Sequence, residues 1–410
     1  MKGLLNKLKS SGPAAIITSA FIGPGTVIVS TRIGVSFGYS LVWAVVFAVV
    51  SLMLLMEMSS RIGIVSNKDL IEASIDIFKG NKVWKRFIQI LILSAVVTVC
   101  FAFQTGNLTG GSLGFAEIFN IDKSYVVVGM ALIALGVSVI GSSKLLEKVM
   151  KMFVGLMGLI FIVTLIFVKP PIGEVAKGLV PNIPENGTVL TLALIGTTLI
   201  GINLILHSIT SKQKWNKVEQ LSEARWDIIV NILIGGLITF SILVISATVL
   251  RGSELKGNPA LIFTQSLEPV LGKYASLFGN LGLFAAGLSS AIAIPFTLKN
   301  ITAKVLNFKD GADDIRAKIL GVIVVVFGSV LAIVGRNPQE IIVFAQATSG
   351  ISLPIIAILI LIVSNNKKLL GKYVNNPIQN LVGVVVVILT FALGAKGLYD
   401  GITGFIKLLG

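Results

Sequence analysis

Apolar runs of at least 18 residues recur along the chain, each long enough to cross a roughly 30 Å hydrocarbon core. The pattern predicts eleven spans: 13–37, 41–64, 87–107, 124–142, 150–168, 188–210, 227–250, 272–298, 318–335, 340–364 and 379–396. Two of them are interrupted. Gly23-Pro24-Gly25-Thr26 falls near the middle of the first, where proline removes a backbone donor and glycines weaken the helix. The sixth carries Thr197-Thr198-Leu199-Ile200-Gly201-Ile202-Asn203 at mid-span, followed by His207-Ser208. Freed backbone groups persist in a bilayer only against protein or a polar cavity. Two interrupted helices, each opening a block of five spans, point to an inverted-repeat secondary transporter with its site between the repeats. The competing reading is a pair of kinks used for helix packing.

The expected organisation is one membrane domain over residues 1–410. It comprises a first repeat at 13–168, an inverted second repeat at 188–364 and an extra span at 379–396. Leu70 to Phe78 reads as a short helix lying on the membrane surface. The stretch from Met1 to Ser11 is not expected to open a signal peptide, because the apolar run continues past the first break without a short bounded core.

Composition agrees with a membrane chain. Hydrophobic residues make up 54% and charged residues only 13%, against about 25% charged in soluble domains. The net charge of +15 sorts by side: with the amino terminus in the cytoplasm, 24 of the 34 Lys and Arg residues fall inside and 10 outside. That is the positive-inside bias, and it removes the need for a nucleic-acid partner. The expected location is the plasma membrane of a prokaryote, crossed many times. One cysteine, Cys100, leaves no internal disulfide or Cys-rich metal site. With one histidine, no clustered membrane carboxylates and no phosphate loop, neither a catalytic set nor a built-in ATPase can be assembled. No enzyme activity and no cofactor are expected, apart from a coupling ion, proton or sodium.

The interrupted helices also carry a resemblance. Gly23-Pro24-Gly25-Thr26 through Gly34 to Phe37-Gly38-Tyr39 resembles the first helix of the Nramp divalent-metal transporters, which read Asp-Pro-Gly-Asn at this place. Arg61-Ile62-Gly63-Ile64-Val65 with Lys68-Asp69-Leu70 is similar to the end of their second helix. Asn203-Leu204-Ile205-Leu206-His207-Ser208 resembles their sixth, Gly287-Leu288-Ser289-Ser290 their eighth, and Gln346 through Leu353-Pro354 their tenth. The resemblance spans nearly the whole chain. It implies an all-α, LeuT-type fold of five plus five inverted spans with one added.

The departures fall on the chemistry. Gly23 stands where the family has its metal-binding Asp, Thr26 where it has Asn, Ile200 where it has Met, and Ile202 where it has the first His. Val97, Gln104 and Asn107 stand where the third helix carries acidic residues; Gln346 and His207 are retained. A dehydrated divalent ion calls for oxygen or nitrogen ligands that include a carboxylate, and none remains. An outer half-helix opening at Gly25-Thr26 aims its N–H groups and positive dipole end at mid-membrane, which suits an anion. These residues imply a small carboxylate-bearing or polar organic solute, bound by Gly23, Gly25, Thr26, Ile200, Gly201, Asn203 and Gln346. The alternatives are a hydrated divalent ion of magnesium or manganese type, and a non-transporting sensor or scaffold.

Five further residues are candidates for coupling or for the permeation route. Arg32 either adds positive potential to an outer vestibule or snorkels to the interface. His207 either relays protons or serves as a neutral hydrogen-bonding group. Glu57 lies four residues before Arg61, a spacing that permits a pair on one helix face, yet an ionisable group at this depth is also a functional candidate. Gln104 and Asn107, with Thr105 and Thr109, form a polar stripe that either lines the route or ties helices together.

Overall fold

The computed structural model describes residues 12–140, 144–252 and 259–409. The chain is all helical over these residues. Its membrane helices are α1 (Pro13–Phe21), α2 (Pro24–Phe37), α3 (Val42–Ser66), α5 (Lys82–Phe119), α6 (Lys123–Ile140) and α7 (Lys144–Val168), with the surface helix α4 (Leu70–Ile77) after α3. A second series follows as α8 (Thr188–Thr198), α9 (Gly201–Lys214), α10 (Leu221–Val249), α11 (Ala275–Leu306), α12 (Ile315–Val334), α13 (Pro338–Ser364) and α14 (Pro377–Leu409). Among the described residues eight segments are long and apolar enough to cross a membrane, α8 and α9 counting as one, and α6 and α7 contribute shorter apolar stretches. The three Lys residues expected inside at the amino terminus lie outside the described residues.

Both breaks are present; the first sits slightly earlier than expected and the second falls within the expected stretch. The first is Ile22-Gly23: α2 opens at Pro24 with Gly23 as its N-cap, not at Gly25-Thr26. Proline suits the first helical position because its missing N–H would have had no partner there. The second break is Leu199-Ile200, so Gly201 already begins α9. Helix α5 runs a dozen residues beyond the expected end at 107. Its polar and glycine residues are buried among other helices, where hydropathy does not set the helix end.

The two broken helices pack in corresponding ways. Helix α2 lies on α10, and its counterpart α9 lies on α3. The third helices of the two series, α5 and α11, cross at the centre. A Cβ on Gly287 would stand 2.5 Å from the Cα of Gly111. Only glycine lets these two backbones approach so closely. Burial then separates centre from rim: 89% of the most apolar part of α8–α9 is buried in the protein, against 28% for α14. The exposed side chains of α12 and α14, among them Ile323, Val326, Phe327, Ile388 and Phe391, are apolar. A surface of this kind is stable only in lipid.

Among the described residues one face gathers many cations, several of them paired. Asp69 caps α4 in a reciprocal capping box with Glu72, and Lys304 from the end of α11 pairs with Asp69. Lys212 from the end of α9 pairs with Glu72 at 2.7 Å, and Ser208 Oγ accepts the Leu70 N–H at 2.9 Å. Burial works to raise the Glu72 carboxyl, but hydrogen bonds from Lys212 and the Asp69 N–H outweigh it and hold it below its ordinary range. Helix α4 is thereby fastened beneath α9 and α11. Glu57 receives Arg225 of α10 at 2.8 Å, Gln379 of α14 at 3.3 Å and its own-helix neighbour Arg61 at 3.2 Å. That cluster docks the extra helix α14 onto the bundle.

Candidate substrate site

Four helix ends meet at the two breaks: the carboxyl ends of α1 and α8 and the amino ends of α2 and α9. Neither amino end has a side-chain cap, so their first N–H groups keep a partial positive charge directed at the gap. The Thr26 hydroxyl reaches back across the first break and donates to the Phe21 carbonyl. One acceptor freed by the break is thus satisfied within the protein, and Thr26 keeps only acceptor capacity for a ligand. At the second break Ser349 Oγ of α13 donates to the Leu199 carbonyl at 3.2 Å.

Between the breaks lies a cavity of about 70 Å³, room for several water molecules. Gly23, Gly25, Thr26, Ile200, Asn203 and Gln346, expected together from sequence, all line it, and so does Asn107. Ile202 lines it as well, so residues of both interrupted stretches share the cavity wall. Gly201 belongs to the same turn but is not in the wall; its backbone faces Ile356 and Leu353 of α13. Among the described residues no Asp, Glu, His or Cys lines the cavity, and no group of three such residues could hold a metal ion.

Gln346 fixes the geometry from α13. Its amide lies on the backbone of Gly25, where an added Cβ would come within 2.1 Å of Nε2. Its own carbonyl lies against Gly196 of α8, at 2.2 Å from the position of a Cβ. Two glycines therefore make the slot that carries Gln346 to the gap. Asn203 is buried, and its Nδ2 has no hydrogen-bond partner within the protein. A buried unpaired amide donor is costly, so a ligand or water is its natural partner.

The remaining wall consists of residues that sequence reading had not assigned. Ser290 and Thr297 of α11, seven residues apart on one helix face, join Thr197, Phe103, Phe21 and Leu206. The i, i+7 spacing of the two hydroxyls was visible, but nothing in the sequence said which face of α11 turns inward. Phe21, Phe103, Leu206 and Thr297 all lie on the cation-rich side of the breaks, so the cavity extends toward that face. On the other side Pro24 packs on Gly110, and Arg32 of α2 bonds Glu340 of α13 at 2.7 Å.

The other candidates lie off the cavity. Arg32 is not in the cavity wall: it bonds Glu340, and its Nε and Nη1 are buried without partners. His207 is completely buried on α9, with Nε2 3.4 Å from Ser211 Oγ and Nδ1 unpartnered. Gln104 ties α5 to the Ala291 carbonyl of α11 at 3.2 Å. The polar stripe thus divides, Gln104 joining helices and Asn107 facing the cavity. Glu57 sits in the ion cluster against α10 and α14.

Two broken helices around a central cavity in an all-helical bundle define the class of LeuT-type membrane transporters. The chain belongs to the Natural resistance-associated macrophage protein-like (Nramp) family, whose pattern it matches over residues 14–400. It is 26% identical over 396 residues to the divalent metal cation transporter MntH of Yersinia pestis, covering 95% of this chain and 94% of that protein. The fold is similar to the Eremococcus coleocola manganese transporter, with a TM-score of 0.77 at 19% identity over 97% of this chain and 87% of the other. It is also similar, at a TM-score of 0.59 and 16% identity, to MhsT in complex with L-phenylalanine, over 94% of this chain and 97% of that one.

Proposed function

We propose that this Nramp-family transporter moves a small carboxylate-bearing or polar organic solute by secondary-active transport. The observation that carries this reading is the neutral cavity wall, which holds Gly23, Thr26, Ile200 and Ile202, the residues read as standing in place of the Asp, Asn, Met and first His of the motifs this chain resembles. Two uncapped helix amino ends offer N–H groups to an anion. Asn203 Nδ2 and the Gln346 amide supply hydrogen bonds, and Thr26 accepts one. Phe21, Phe103 and Ile294 provide an apolar flank for a small hydrocarbon portion. The cation-rich face is assigned to the cytoplasm of a prokaryotic cell, with the amino terminus on that side. His207 and Asn107 are the candidates for coupling to a proton or sodium gradient.

A second reading has its own support. The relatives of similar length are named divalent metal cation transporters, and the carbonyl ends of α1 and α8 with neutral side-chain oxygens suit a cation that keeps most of its water. Purified protein in liposomes separates the two. Saturable uptake or calorimetric binding of an organic acid, with manganese and magnesium inert, is the expected result. Saturable manganese or magnesium uptake with no binding of any organic acid overturns the proposal in favour of the ion.

A further inference from the structure

Helix α1 is a separate body within the fold. It is nine residues long and joined to α2 only through Ile22-Gly23, and helices this short are marginal unless something else holds them. It carries Phe21 into the cavity wall, while its amino end reaches the cation-rich face toward which the cavity extends. Its main support is α10. Near the break, Phe21 and Thr18 lie on Gly235, where a Cβ would stand 2.3 Å and 2.8 Å from their side-chain carbons.

At the opposite end a carboxylate of α10 holds α1. Asp227 of α10 accepts the Gly12 N–H through Oδ1 at 2.9 Å and the Ala14 N–H through Oδ2 at 3.0 Å. Asn231 holds the same carboxylate in place, donating to Oδ1 at 2.9 Å and to the Asp227 carbonyl at 2.8 Å. Pro13 has no N–H to offer, so Asp227 satisfies both donors of the Gly12-Pro13-Ala14 segment. The α1 helix has no side-chain cap of its own; its cap comes from another helix, 213 residues away in the chain. Gly12 is what permits this, since a Cβ there would lie 2.1–2.5 Å from the carboxylate atoms.

We propose that Asp227 is a positioning residue for transport: it clamps the free end of α1, and release of the clamp lets α1 swing about Ile22-Gly23 to open the cavity on the cation-rich side. Such a hinge-and-clamp wall is a bistable element that a few hydrogen bonds can bias. The inference rests on the transport reading but not on the identity of the solute.

Thiol accessibility tests it in the full-length protein in liposomes. Cys100 is fully buried and contributes little background, so Thr297→Cys places a single reporter in the cavity. Asp227→Ala and Gly12→Ala break the clamp from opposite sides. Both are expected to raise labelling by a membrane-impermeant maleimide from the cation-rich side roughly tenfold or more, the scale of one charge-assisted hydrogen bond. Asp227→Asn, which keeps one acceptor, should fall between. Asp314→Asn loosens a helix end elsewhere and should leave the rate unchanged. Wild-type labelling in both clamp variants, whatever their thermal midpoints, overturns the proposal. An equal rise in Asp314→Asn also overturns it, because the opening would then be general loosening. Since the readout is conformational, failure to find the solute leaves this test intact.

Discussion

Gly25→Ala is the sharpest probe of the site. The new methyl carbon would stand 2.1 Å from Gln346 Nε2, 2.2 Å from Cδ and 2.8 Å from Cγ, far inside van der Waals contact. All three atoms belong to the far part of a flexible side chain, so Gln346 can rotate away at a cost of about 0.5–1.5 kcal/mol for an unfavourable torsion. The fold therefore survives and the amide leaves the gap. Losing one hydrogen bond to a charged ligand group costs about 1.5–3 kcal/mol, which is roughly a 10- to 100-fold rise in KM or Kd. Gly196→Ala is the contrast: its Cβ would meet the Gln346 backbone carbonyl at 2.2 Å, with Gly350 N at 3.2 Å. Backbone cannot rotate away, and the overpacking costs about 1–3 kcal/mol or more of stability. Liposome uptake and thermal unfolding separate the pair. Gly25→Ala should lose affinity with a nearly unchanged midpoint, and Gly196→Ala should lose the midpoint. In a Gln346→Ala background the Gly25→Ala change should have little further effect, because the clashing atoms are gone. An unchanged KM in Gly25→Ala, or additive losses in the double variant, would refute the reasoning.

Other outcomes follow from the same geometry. Thr26→Val should destabilise by about 1–3 kcal/mol by leaving the Phe21 carbonyl unpaired, whereas Thr26→Ser should keep the bond; thermal unfolding of both variants checks this. Arg32→Gln should raise the KM for an anionic solute, and Glu340→Gln, which frees the guanidinium, should lower it; uptake kinetics with neither changed would remove Arg32 from the route. Asp314 caps α12 and accepts hydrogen bonds from the Arg316 side chain and N–H, which lower its carboxyl to about 2 from an ordinary 3.8. A depressed carboxyl stabilises above its unfolded value and loses that contribution as pH falls through the folded one. The difference in thermal midpoint between wild type and Asp314→Asn should therefore hold down to about pH 4 and shrink toward pH 2.

Much of the architecture was legible because a bilayer leaves few options. Apolar runs must be helices of a set length, and proline or glycine at mid-depth must be buried against something. A bundle of many apolar helices with two breaks followed from that alone. The first break lay a residue or two before its expected place because two glycines compete for the role. Only the packed backbone decided that Gly23 caps α2 while Gly25 makes room for Gln346. Periodicity could not orient α11, since a helix buried on most sides has no polar face to mark its outside. Ser290 and Thr297 were therefore missed, and Gln104 could not be told from Asn107.

By itself, the sequence determined that this is a many-spanned membrane protein with two interrupted helices, and that Gly23, Thr26, Ile200 and Ile202 stand at those interruptions. Those are local facts, written in composition and in consecutive residues. The tertiary structure alone decided that Gly23, Thr26, Ile200 and Ile202 line one cavity, that Gln346 lies on Gly25, and that Asp227 holds the end of α1. Each of these joins residues far apart in the chain, and only the close approach of helices over small residues brings them together.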